Sequence, residues 1–237
     1  MSTAGATLES RLQAVYKEHG LRTFLDVCSN MLKVDSHGDI AKKKRFNGAV
    51  CEVVLCTMTR HYLLRRKRSG EVFHSVVLRD KSNLQSEFRT ELDFILMHPS
   101  ICLTGECKSF VGDIIVSNEC LLTRDNLTAD VNRQSQLHGK YLELYLRDFV
   151  KTGAGIPRPP YKLFCFVYCR GTIRDARSLE AKEALPVLTV STLFTYYDKL
   201  FSLGLPEVYN VRKATTAFTE GVQSEELRQE HRKFLGY

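Results

Sequence analysis

Between Glu91 and Gly112 the chain reads ELDFILMHPSICLTGECKSFVG, two apolar runs parted by His98-Pro99-Ser100. Proline fixes its own φ and brings no N–H to a ladder, so it belongs at a turn. The flanking runs then read as the two strands of an antiparallel hairpin. Strand residues two apart share a face, which sends Glu106 and Lys108 out together and Cys107 into the opposite layer. Closing the hairpin at Pro99-Ser100 brings Asp93 close to Glu106. Two carboxylates and an ammonium in one pocket suit a divalent cation that takes oxygen ligands, such as Mg²⁺. The same Glu-x-Lys is also the pattern of an exposed cross-strand ion pair, worth about 0 to 1 kcal/mol.

The segments around the hairpin predict a mixed α/β order. Apolar residues recur at helical spacing over residues 8–32, with an interruption near Gly20. Lys42-Lys43-Lys44-Arg45 and Phe46-Asn47-Gly48 then precede a helix over residues 49–64. Glu52 stands in its apolar run among Val50, Val53, Val54 and Leu55, where a carboxylate is costly unless it is paired or bound to a cation. Arg65-Arg66-Lys67-Arg68 and Ser69-Gly70 close that helix with cations at the favourable end of its dipole. Phosphate contact and nuclear import are the other uses of such a run. A strand is predicted over 72–78, short strands over 113–116 and 120–123, and a polar stretch over 124–133. Leu137, Tyr141, Leu142, Leu146 and Phe149 mark an amphipathic helix. Residues 153–160 form a loop, 163–169 a strand buried on both faces, and 186–190 a short edge strand. Ser191 or Thr192 is the expected cap of a helix reaching Phe201, and a charged helix is expected near 225–234.

Taken in order, Leu92-Asp93-Phe94-Ile95, the run from Ile101 to Gly105, and Glu106-Cys107-Lys108-Ser109-Phe110-Val111-Gly112 resemble the nuclease-related domain family, a branch of the PD-(D/E)XK nuclease superfamily. The likeness spans residues 46–170. It implies an α/β fold with a restriction-endonuclease-like core, a mixed central β-sheet flanked by helices. It further implies a Mg²⁺- or Mn²⁺-dependent nuclease with Glu52, Asp93, Glu106 and Lys108 as catalytic residues. Asp93, Glu106 and Glu52 would hold the metal, and Lys108 would orient the attacking water or neutralise charge on the phosphate. Gly48 and Glu52 resemble the glycine turn and acid of the family's first core helix, with Cys51 where members usually carry Gly. Gln134 and His138 resemble the Gln-x-x-x-His that opens the helix after the catalytic strands, and are the expected substrate contacts. Asp130-Val131 stands where members carry Asn-Pro. The expected partner is nucleic acid, DNA before RNA, and many superfamily members pair into homodimers. The alternative on the same fold is a catalytically silent module that binds nucleic acid or protein.

A chain of 237 residues can bury one sizeable core. The expected organisation is an N-terminal helical extension over 1–40, the nuclease-like core over 41–203 and a C-terminal helical tail over 204–237. A net charge of +7 is compatible with a polyanionic partner. No apolar run approaches the roughly 20 residues that cross a bilayer, and the N-terminal stretch lacks a signal-peptide core, so a cytoplasmic or nuclear protein without a membrane partner is expected. The eight cysteines form no Cys-x-x-Cys pair, which speaks against structural zinc. Several sit inside apolar runs, as buried free thiols of a reducing compartment do.

Overall fold

The computed structural model describes residues 7–32, 40–79, 89–124, 127–156 and 158–223. The first helix, α1 (Leu8–Met31), opens where the Thr7 side chain accepts a hydrogen bond from the Ser10 N–H at 3.2 Å, satisfying one of the donors that a helix start leaves orphaned. Gly20, at φ 78°, breaks α1 into two arms where the interruption was expected. The second helix, α2 (Ile40–Arg66), is longer than predicted. It takes in the Lys42-to-Arg45 cluster and Gly48, so no glycine turn opens it, and that expectation is corrected. Val50, Cys51 and every residue from Val53 to Thr59 are buried, as in a helix that other layers cover on several sides.

In chain order the remaining elements are strands β1 (Glu71–Arg79), β2 (Arg89–His98), β3 (Ile101–Val111), β4 (Ile114–Val116), β5 (Leu121–Arg124) and β6 (Leu127–Asp130), then helix α3 (Val131–Arg147). They continue with β7 (Tyr161–Arg170), β8 (Ile173–Asp175), α4 (Leu179–Ala184), β9 (Val187–Leu188), α5 (Leu193–Phe201) and α6 (Val211–Gln223). The expected hairpin is present, β2 and β3 pairing antiparallel from His98 opposite Ile101. β1 extends it antiparallel on one side; β7 joins β3 in parallel on the other, and β9 follows β7.

Both faces of this five-stranded sheet are covered. α1, α2 and α5 share a core with Phe94, Leu96, Leu103, Phe164 and Phe166. On the opposite face α3 and α6 pack with Val76, Leu78, Ile95, Met97 and Cys102. Each Leu or Phe so enclosed contributes about 1.5 to 3 kcal/mol. The middle of β7 is buried on both sides, Phe164 and Phe166 toward α2, Cys165 and Val167 toward the second sheet, as its unbroken apolar run predicted.

At Gly112, φ 108°, and Gly171, β3 and β7 leave the central sheet side by side and continue as β4 and β8, again paired in parallel. The Gly112 N–H donates to the Arg170 carbonyl at 3.0 Å. A Cβ on Gly171 would run into the Gly112 carbonyl, so the crossing requires glycine. β4 and β8 belong to a second sheet ordered β6-β5-β4-β8. The fold is therefore mixed α/β, with two mixed sheets flanked by helices.

Three elements were not expected: β6, β8 and α4. Thr192 does precede α5, but its side chain makes no cap bond to the helix and instead accepts from the Thr189 N–H at 2.8 Å. In the tail, α6 seats Ala214 and Phe218 in the core beside β1 and β2. The charged helix expected near 225–234 lies outside the described residues. All eight cysteines are free thiols, and no described helix is long and apolar enough to cross a membrane.

Candidate active site

Strands β2 and β3 pair from His98–Ile101 up to Phe94–Gly105 and no further. Beyond that rung the Cys107 N–H would lack a partner on the β2 side, and a buried backbone donor must find one. Asp93 Oδ2 accepts it at 2.8 Å. The other edge of β2 is irregular at the same level, because the β1–β2 ladder passes from His74–Phe94 to Val76–Leu92 and omits the rung of Ser75 and Asp93. Ser75 there has φ 51°. Side-chain alternation slips with it: Phe94 and Leu96 lie in the core under α2, whereas Leu92 lies in the core under α3.

Glu106 is only 5% exposed. The Lys108 ammonium reaches its Oε1 at 2.5 Å, as the strand spacing predicted, but this is no solvated surface pair. From the opposite layer, His138 of α3 brings Nδ1 to 3.2 Å of Oε2. That approach is not aligned as a hydrogen bond, so Oε2 remains a buried acceptor without one. Burial pushes the Glu106 carboxyl upward, yet His138 and Lys108 outweigh it and hold the group below its ordinary range. Burial likewise lowers Lys108, and Glu106 and Asp93 reverse the sign. Asp93 goes the other way: burial first, then the neighbouring Glu106 and Glu52 carboxylates, hold it well above the usual carboxylate range against the pull of the Cys107 N–H and Lys108.

Glu52 approaches from α2. Its Oε2 accepts from the Ser75 hydroxyl at 2.7 Å and lies 3.8 Å from His74 Nδ1. The other His74 nitrogen, Nε2, is 3.3 Å from Glu9 of α1. Glu52 foremost, and Glu9, raise the His74 imidazole above its ordinary value, although burial opposes them. Sequence reasoning passed over Ser75 and His74; their one signal is a polar pair interrupting the strand EVFHSVVLR.

These groups open on a cleft of about 500 Å³ lined by Glu52, Asp93, Glu106 and Lys108, by Lys43, Lys44 and Asn47 of α2, and by Arg124 and Thr128 of the second sheet. Gln134 is exposed in the first turn of α3 and does not line this cleft; His138, one turn on, is the member of that pair that reaches Glu106. In the second basic run Arg66 is bonded to Asp198 at 2.6 Å and the Arg68 guanidinium lies 4.9 Å from the centre of the Phe201 ring. A larger depression of about 700 Å³, between Arg158 and Leu203, lies at the far end of β7 from the carboxylates.

The donor set has the chemistry of a hard divalent cation site, three carboxylates with one buried oxygen lacking a hydrogen bond. Among the described residues no three His, Cys, Asp or Glu side chains are already gathered as ligands: Lys108 sits on Glu106 Oε1 and Asp93 Oδ2 is turned to Cys107. Comparison of the chain with protein-family models, with curated proteins and with solved structures finds no match.

Proposed function

We propose that the protein is a Mg²⁺- or Mn²⁺-dependent nuclease that hydrolyses phosphodiester bonds at the cleft between α2 and the splayed ends of β2 and β3. One observation carries the reading: a buried Glu106–Lys108 pair with a carboxylate oxygen lacking a hydrogen bond, beside an Asp93 whose carboxyl is crowded by two other acids. The order α2, three antiparallel strands, α3 and a parallel strand beside β3 supports a restriction-endonuclease-like core. Lys43, Lys44 and Arg124 in the same cleft support a polyanionic substrate.

Asp93 and Glu106, with Glu52, would hold the cation, which when bound supplies the Lewis acid that polarises a phosphoryl oxygen and acidifies water. The residues around it do the rest. Lys108 carries a full positive charge in a partly buried site, where it neutralises charge developing on the phosphate more strongly than it would in water. Lys108 and His138 flank the Glu106 carboxylate, one at Oε1 and the other at Oε2. Cys107 fixes Asp93 through its backbone, so neither acid has to search for its position.

The alternative, a silent module binding nucleic acid or protein, has its own observation in the donors already engaged within the chain, Lys108 on Glu106 Oε1 and the Cys107 N–H on Asp93 Oδ2. Labelled single- and double-stranded DNA and RNA, incubated with wild type, Lys108→Met and Asp93→Ala in Mg²⁺, Mn²⁺ or EDTA, separate the two. Metal-dependent cutting by wild type alone supports the nuclease. Salt-sensitive retention without cutting supports the module, and if both assays are blank nucleic acid is not the partner.

A further inference from the structure

We infer that Ser75, with His74, is a positioning residue for Glu52, held in an unfavourable backbone conformation so that one carboxylate oxygen is tied and the other serves the cleft. The inference rests on the hydrolytic reading above, in which Glu52 is the third acid. Ser75 lies in the middle of β1 at φ 51°, a left-handed conformation that is uncommon for residues bearing a Cβ and that persists only where the surroundings compel it. Glycine would adopt it freely, so a serine there calls for a reason in its side chain. The hydroxyl supplies one, donating to Glu52 Oε2 at 2.7 Å.

His74 approaches the same oxygen, Nδ1 at 3.8 Å, and is itself fixed from behind by Glu9 of α1 at 3.3 Å. Arg60 of α2 reaches that same Glu9 oxygen at 3.8 Å. Both contacts to Glu52 therefore go to Oε2, which leaves Oε1 for the cleft that Glu52 lines. The rung that breaks here is also the one opposite Asp93. One irregularity thus serves two acids: it frees Asp93 from the ladder and aims Ser75 at Glu52. It also makes α1 part of the site, through Glu9 and His74.

The test compares two substitutions that remove the same hydroxyl. Ser75→Ala keeps the left-handed strain, while Ser75→Gly releases it. Cleavage with Mn²⁺, Mn²⁺ binding by electron paramagnetic resonance, and thermal melting are measured on each. Both variants are expected to lose kcat by roughly ten- to a hundredfold with KM for the nucleic acid unchanged. Ser75→Gly should melt at or above wild type and Ser75→Ala below it. If activity instead follows melting temperature, so that Ser75→Gly cuts like wild type, the inference is overturned. A wild type that neither binds Mn²⁺ nor cuts overturns the hydrolytic reading, and melting then decides the Ser75–Glu52 link by itself. Shifts from Ser75→Ala and Glu52→Gln that simply add in the double variant would discard the link, and a combined shift smaller than their sum would keep it.

Discussion

Asp93 Oδ2 accepts the Cys107 backbone N–H at 2.8 Å across a rung where β2 and β3 have ceased to pair. The donor is not a side chain that can swing away but the backbone between Glu106 and Lys108. The first acid is therefore referenced to the strand that carries the second acid and the base, and each group's charge is felt by the others.

Asp93→Asn should stabilise the fold while abolishing metal-dependent cleavage. The folded-state carboxyl is raised by burial and by Glu106 and Glu52, so the folded chain holds this proton more tightly than the unfolded chain. Stability consequently falls as pH rises from the unfolded value through the raised one. Asparagine keeps an acceptor for Cys107 and removes that loss, a gain of about 0.5 to 2 kcal/mol at neutral pH. Urea unfolding at pH 7.5 measures it, and an unchanged or lower stability would count against the crowding of acids.

Lys108→Met should cost stability as well as activity. It strips the ammonium from a carboxylate that is 5% exposed, and breaking such a pair costs about 3 to 5 kcal/mol where nothing else compensates. His138 remains at 3.2 Å, so the loss should fall at about 2 to 3 kcal/mol, toward or below the low end of that range. The double variant Lys108→Met/Glu106→Gln should recover most of it in the same urea assay, without recovering cleavage.

Acid unfolding should report Glu106. Its folded pKa is depressed, His138 and Lys108 overcoming burial, so its contribution is present above the unfolded value and is lost as pH falls through the folded one. Glu106→Gln should flatten that limb of the stability curve between pH 5 and pH 3, followed by circular dichroism. An unchanged slope would mean that the pair is not what holds this end of the sheet.

Cation binding should appear as stabilisation before any cleavage is seen. A ligand at a hundred times its dissociation constant adds about 2.7 kcal/mol to folding, reversed by EDTA. Melting curves with and without Mn²⁺ should separate for wild type and coincide for Glu106→Ala and Asp93→Ala.

Gly105→Ala tests the strand itself. A Cβ there would stand 2.6 Å from Phe164 Cζ, and Phe164 is fully buried against Phe94. Overpacking of this kind costs about 1 to 3 kcal/mol, visible as a lowered melting temperature.

Where side-chain pattern dictates structure, the chain was legible. The hairpin announced itself through two apolar runs and a Pro-Ser turn, and β7 through an unbroken apolar run. Glu106 and Lys108 were placed together by strand periodicity alone. The elements that escaped, such as β8 with Ile-Arg-Asp and β6 with Leu-Thr-Ala-Asp, are too short for a period to develop and take their shape from neighbours. Gln134 and His138 looked equivalent in sequence, but α3 begins at Val131 with Asp130 accepting from the Arg133 N–H. Four residues apart, the two share a helix face and differ in height along it: Gln134 lies exposed in the first turn, and His138, one turn on, reaches Glu106. Ser75 was invisible for a different reason: left-handed backbone is not written in a serine.

The hairpin also has a meaning for how the site comes into being during synthesis. Asp93 and the Cys107 N–H are 14 residues apart and Ser75 and Glu52 are 23, while the contact of Cys169 with Gly112 at the end of the β3–β7 pair spans 57. Closing long loops is slower and entropically dearer than closing short ones. A nascent chain that has not yet emitted Tyr161 therefore already contains every acid and the base, but neither their parallel neighbour β7 nor the layers packed beyond it. The strand that flanks β3 on that side, paired with it from Cys102–Tyr161 to Val111–Arg170, is supplied by the last third of the chain.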